Sequence, residues 1–260
     1  MVVFANVFTL YEDTVVRTPT FGPAHLTYIA IILAVWIAVP LLLRRRARAR
    51  NATLYTMAAL MLVNEIIRMV WFAGCGVDPA KWLPFDLCGF MIFLTIVTIF
   101  VRKPLMLNIV YALGLTAAIF GVLTPSVQNY PPLGYNYFCG MFSHGCLVLA
   151  PLILIAAGEF RPDIRKLPAI VCSLVVFALA VIAPLDYAFG ANWFFLCTAP
   201  ADTPLSMFEG WVGHPGYLGL ALVLGIVLWT LFYLPFVIHT PRNAQPAPGD
   251  AVRETAALKK

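Results

Sequence analysis

Apolar residues along the chain collect into seven stretches, at about residues 26–43, 52–73, 84–101, 106–123, 137–157, 168–186 and 217–238. Short polar or basic segments separate them, except before the seventh, where a longer polar loop is expected. A helix needs about 17 to 25 residues to cross roughly 30 Å of hydrocarbon, and each stretch is of that length. The pattern predicts an all-α membrane protein, a seven-transmembrane-helix bundle formed by residues 24–240. Residues 1–23 are expected to lie along the outer interface. Residues 241–260 hold too little apolar content to fold and are expected to be a disordered cytoplasmic tail.

Composition agrees with this class. Hydrophobic residues make up 62% of the chain and charged residues only 11%, which excludes an ordinary soluble domain. If the spans alternate, 14 of the 17 Lys and Arg residues fall on one side: the run at residues 44–50, Arg102 and Lys103, Arg161, Arg165 and Lys166, and the tail. The positive-inside rule makes that side cytoplasmic, with the N-terminus outside and the C-terminus inside a cell membrane that the chain crosses many times. The net charge of +5 thus reflects topology, and no nucleic acid partner is implied. The opening residues, MVVFANVFTLYEDTVV, lack the basic region of a cleavable signal.

Against this apolar background a few polar side chains stand out. An ionisable group inside a bilayer costs at least about 2.5 kcal/mol near the centre, so it tends to face the bundle interior and mark a site. From the rise of about 1.5 Å per residue, Cys88 lies roughly 6 Å, Arg68 roughly 8 Å, His144 roughly 10 Å and Glu65 roughly 12 Å below the outer ends of their spans. Asp86 and Asp186 sit nearer the rim. Several helices therefore place polar groups in one half of the membrane.

Each residue has two readings. Glu65 and Arg68, three apart, can pair on one helix face for packing or for binding, and Asn64 can add a hydrogen bond. Asp86 can cap a helix start or serve a site. Asp186 can anchor the loop that follows it, Cys88 can fill space, and His25 is either an interface anchor or a rim ligand. An imidazole at the depth of His144 is rarer, and it can transfer protons near neutrality. Cys75, Cys139 and Cys197 fall near the outer face and can include one disulfide in an oxidising compartment. No metal-binding, phosphate-binding or nucleophile-elbow motif occurs, and no cofactor is implied.

The ordered set "GPAHL", Glu65, "LPFDLC", "FSHG", "LDYAFGANWFFL" and "GHPGYLG" resembles the YwaF-type bacterial integral membrane family. That family is similar in turn to the eukaryotic transmembrane protein 164 family. The resemblance implies phospholipid acyl transfer through a cysteine, with a cysteine-histidine pair directly after the proline that opens the third span. Glu65 and His144 match recurring positions. Phe85 stands where the cysteine is expected and Asp86 where the histidine is usual; Cys88 is one helical turn deeper on much the same face as Phe85.

Acyl chemistry at this site needs a nucleophile, a base and a group that orients the base. Cys88, His144 and Asp86 are the catalytic candidates. Glu65, Arg68, Asn64, Asp186, Asn192 and His25 are the candidates for binding, with Arg68 or Asn192 available to a lipid phosphate or an oxyanion. Alternatively His144 deprotonates an acceptor hydroxyl without cysteine chemistry. A membrane phospholipid is the expected partner. A small-molecule or proton-linked binding or transport protein, and a non-catalytic scaffold, are the readings of other classes.

Overall fold

A computed structural model of the 260-residue chain describes residues 18–125, 130–200 and 203–238. The expectations for the tail, and for all but the last residues of the N-terminal segment, lie outside the described residues. Among the described residues the chain is helical, without strands: α1 Pro23–Leu43, α2 Ala47–Gly74, α3 Leu87–Val101, α4 Pro104–Leu123, α5 Tyr135–Ala156, α6 Ile164–Phe189, α7 Pro204–Val212 and α8 Gly216–Ile238. Two of them carry an internal π-helical turn, Val110–Gly114 in α4 and Ala178–Ile182 in α6. Such turns shift the face that the rest of a helix presents.

Six helices, α1, α2, α4, α5, α6 and α8, are long and apolar enough to cross a membrane. The third stretch is shorter than its sequence suggests. Its helix starts at Leu87 rather than at residue 84, because Asp86 is extended and its carboxylate accepts Gly89 N–H at 3.0 Å. That cap satisfies a free helical donor and fixes the start. The 15 residues of α3 rise about 22 Å, less than the ~30 Å of hydrocarbon. The connection before α8, expected as a polar loop, also contains α7. A capping box forms it, with the Thr203 hydroxyl accepting Ser206 N–H and the Ser206 hydroxyl accepting Thr203 N–H.

α5 is the hub of the bundle and packs on α1, α2, α3 and α4. Most of α4 and α5 is buried, whereas α1 and α8 leave most of their surface open. Large apolar side chains such as Ile37, Val70, Phe100 and Leu179 point outward, as a lipid-facing surface requires.

The two ends of the bundle differ in chemistry. At one end Glu159 joins Arg50 of α2 to Arg102, which follows α3, and Arg102 also donates to Asn51 Oδ1 at 2.8 Å. This end carries the basic turns at residues 44–46 and 102–103 and the start of α6. At the other end, Thr18 and Tyr28 donate to the carbonyls of Tyr130 and Pro132, each at 2.8 Å, tying the entry to α1 onto the loop before α5.

Candidate functional site

At the end away from the basic turns, the last turns of α2 and α4 meet the first turns of α3 and α5. Asn64 is the junction between α2 and α5. Its Oδ1 accepts from Tyr135 Oη at 3.0 Å and from the Cys139 thiol, and its Nδ2 donates to Ser143 Oγ at 3.2 Å. Tyr135, Cys139 and Ser143 are spaced by four, so one face of α5 surrounds this amide. The next residue, Glu65, is 3% exposed, and its Oε2 accepts from Arg68 Nη2 at 2.6 Å and Nε at 3.1 Å. Pairing offsets part of the penalty that either charge alone would carry in hydrocarbon.

His144 occupies the next face of α5. Its Nδ1 lies 2.6 Å from the carbonyl oxygen of Gly140, one turn back. A carbonyl can only accept, so Nδ1 carries the hydrogen and, in the neutral ring, Nε2 holds the lone pair. The ring lies against Gly121 of α4 so closely that a Cβ there would fall 2.3 Å from both Cδ2 and Nε2. The carboxylates of Asp86 and Glu65 both lie within electrostatic reach of this imidazole.

Cys88, in the first turn of α3, directs Sγ toward the Ala117 carbonyl at 3.8 Å. Ala117 and Gly121 are four apart on one face of α4. The thiol and the imidazole therefore rest on adjacent turns of the same stripe, although the thiol's hydrogen bond goes to the backbone. Among the described residues, no group of three or more His, Cys, Asp or Glu could hold a metal ion.

The sequence profile of the TMEM164 family matches residues 20–233. The chain belongs to the TMEM164 family. No curated protein matches it, and no solved structure does. The matched segment contains every element of the polar cluster, and the apolar helices make this member of the TMEM164 family a multi-pass membrane protein.

Three sequence candidates of this TMEM164-family chain are engaged elsewhere. His25 is fully buried; its Nδ1 accepts Phe21 N–H at 2.8 Å and its Nε2 donates to the Val122 carbonyl at 2.7 Å. Both ring nitrogens thus fasten the start of α1 to the end of α4, beside Gly121. Asp186, 2% exposed, accepts Trp193 N–H on Oδ1 at 2.7 Å, while Oδ2 has no hydrogen-bond partner among the described residues. Asn192 folds its own loop, accepting Cys197 N–H at 2.9 Å and donating to the Thr198 carbonyl at 2.8 Å.

That loop nevertheless reaches the cluster's edge. The ring of Trp193 stands 5.1 Å from that of Phe85, the residue just before the Asp86 cap. The loop is braced by Tyr217, whose hydroxyl donates to the Phe195 carbonyl, and by His214, bonded to the Leu196 carbonyl at 3.0 Å. All six cysteines are free thiols, and Cys139 is buried against Asn64.

The cluster also contains residues that were not among the sequence candidates for it: Tyr135, Cys139, Ser143 and Gly121. The four-residue spacing of Tyr135, Cys139 and Ser143, beside a histidine on the adjacent face, was a usable signal for three of them. Gly121 had none, because its role depends on where the His144 ring falls.

Proposed function

We propose that the polar end of the bundle is an acyl-transfer site for membrane phospholipids, with His144 as the general base. The observation that carries this reading is the state of the imidazole. Its Nδ1 is committed to the Gly140 carbonyl, which leaves Nε2 as the basic nitrogen, and two carboxylates lie in electrostatic reach. Membership of the TMEM164 family adds support.

In direct transfer, His144 Nε2 takes the hydroxyl proton of a lysophospholipid. The oxygen attacks the ester carbonyl carbon of a donor phospholipid and forms a new C–O bond. The tetrahedral intermediate expels the donor's alcohol oxygen, which takes the proton back from Nε2. Asp86 and Glu65 stabilise the imidazolium between these steps, and Arg68, 20% exposed at its side chain, offers a cation to the lipid phosphate.

A second version runs through Cys88, favoured by its place on the Ala117 and Gly121 stripe that also seats His144. The thiol gives its proton to Nε2 and the sulfur attacks the donor's ester carbonyl; the donor's alcohol oxygen leaves with that proton. The acceptor hydroxyl, deprotonated by Nε2, then attacks the thioester and releases the sulfur, which takes the proton back as a thiol.

Under this reading the basic end is cytoplasmic, the short helix α3 completes a seven-helix arrangement, and the site opens to the outer half of the cell membrane. The grouping of basic residues at one end supports that orientation.

Comparison of phospholipid acyl profiles in cells making wild type, Cys88→Ala or His144→Ala at matched protein levels tests the proposal. Profiles changed by wild type and Cys88→Ala but not by His144→Ala favour direct transfer. Loss in both variants favours the thioester version. Identical profiles in all strains leave a binding protein or scaffold as the reading.

A further inference from the structure

Far from the polar cluster, an open groove of about 610 Å3 runs along the outside of the bundle between α6 and α8. Ile164, Leu167, Val171, Cys172, Val175 and Ile226 are among the residues that line it, and the lining is almost wholly apolar. The α6 residues recur at three- and four-residue intervals, so the groove follows one face of that helix. From residue 164 to residue 176 it extends about 18 Å. One leaflet of hydrocarbon is about 15 Å deep, so this length suits a single acyl chain.

The groove's end at Ile164 lies in the turn Ile164–Lys166, where Arg165 and Lys166 are exposed. The neighbouring Asp163 turns its carboxylate to the backbone and accepts Arg165 N–H at 3.0 Å. Arg161 reaches the other wall, donating to the Phe236 carbonyl of α8 at 3.2 Å. Among the described residues the mouth thus carries the exposed Arg165 and Lys166, with Arg161 engaged on α8 and the one carboxylate of Asp163 turned to the backbone, at the end of an apolar groove. A polar ligand would leave that groove unfilled, and a neutral hydrocarbon would leave Arg165 and Lys166 unmatched.

We infer that this groove is a binding site for one phospholipid with an anionic headgroup. One acyl chain lies along α6 and the phosphate sits against Arg165 and Lys166. The site is at the opposite end of the bundle from His144 and does not rest on the acyl-transfer reading. Two basic side chains at a membrane surface give an anionic lipid a preference of roughly tenfold or more over a zwitterionic one.

The test uses the full chain in nanodiscs of phosphatidylcholine containing a minority of phosphatidylglycerol, with retained lipid counted by native mass spectrometry. Wild type should keep one phosphatidylglycerol per chain. The double variant Arg165→Gln, Lys166→Gln should keep a lipid without preferring either headgroup. Cys172→Trp and Val176→Trp, which fill the groove, should keep none, whereas Leu179→Trp, elsewhere on α6, should behave as wild type. Equal retention of both lipids by wild type, or retention undiminished in both groove-filling variants, overturns the inference.

Discussion

The imidazole of His144 is seated on the bare backbone of Gly121, with no room for even a methyl group between them. This contact joins α5 to α4 at the polar end and orients the nitrogen that can act as a base. Under the proposed acyl transfer it makes Gly121 a positioning residue. Alanine is favoured over glycine in a helix by about 1 kcal/mol, so Gly121→Ala has a local propensity gain set against a clash with the ring. The expected outcome is a protein that folds but transfers acyl groups at least about tenfold more slowly, since small displacements of a catalytic group are costly. Histidine 15N NMR should show the His144 ring losing its Nδ1–H form. Unchanged spectra and rates would mean that the ring does not need this seat.

Asn64 is expected to matter for stability. Its amide serves Tyr135, Cys139 and Ser143 together, and Asn64→Leu removes a partner from each. A buried polar group left without its partner costs about 1 to 3 kcal/mol. Thermal unfolding in detergent should therefore show a clearly lowered Tm, whereas Asn64→Gln should recover part of the loss.

How far the sequence revealed this site depends on which coordinate is asked for. Depth was the readable coordinate: counting about 1.5 Å per residue from the span ends put Glu65, Arg68, Cys88 and His144 in one half of the membrane, with Asp86 nearer the rim. In the structure Glu65 pairs with Arg68, while the carboxylates of Glu65 and Asp86 lie within electrostatic reach of His144. Direction around each helix axis was not readable, because it follows from packing and from π turns such as Val110–Gly114. Hence His25, Asp186 and Asn192, which looked like members of the same set, turn to backbone groups instead. The start of α3 was misplaced for a local reason. Proline at residue 84 looked like a first helical position, but the Asp86 carboxylate begins the helix at Leu87.

The opposite end rests on Glu159. It is bonded to Arg50 and to Arg102, and Arg50 is only 6% exposed. Glu159→Ala strands the buried guanidinium. Removing one member of a fully buried pair costs about 3 to 5 kcal/mol; the loss here should be smaller, because the Glu159 side chain is 31% exposed. Adding Arg50→Met to Glu159→Ala should restore stability, measured by the same unfolding assay, since it removes the unpaired charge. A double variant less stable than Glu159→Ala alone would contradict this view of the clamp.

Orientation has a direct check at Cys197, which is exposed in the loop next to the polar end. In a variant retaining only this cysteine, a membrane-impermeant maleimide added to intact cells should label it. Labelling that requires lysis would reverse the assignment of the polar end to the outside.

The decisive measurement is acyl transfer by the purified full-length protein in nanodiscs, with an isotopically labelled donor phospholipid and a lysophospholipid acceptor. His144→Gln keeps the size and polarity of the site but removes its base. Wild type should transfer label, and His144→Gln should be slower by about 100-fold or more. Transfer at equal rates by the two proteins, or none by wild type, would contradict an acyl-transfer site built on His144.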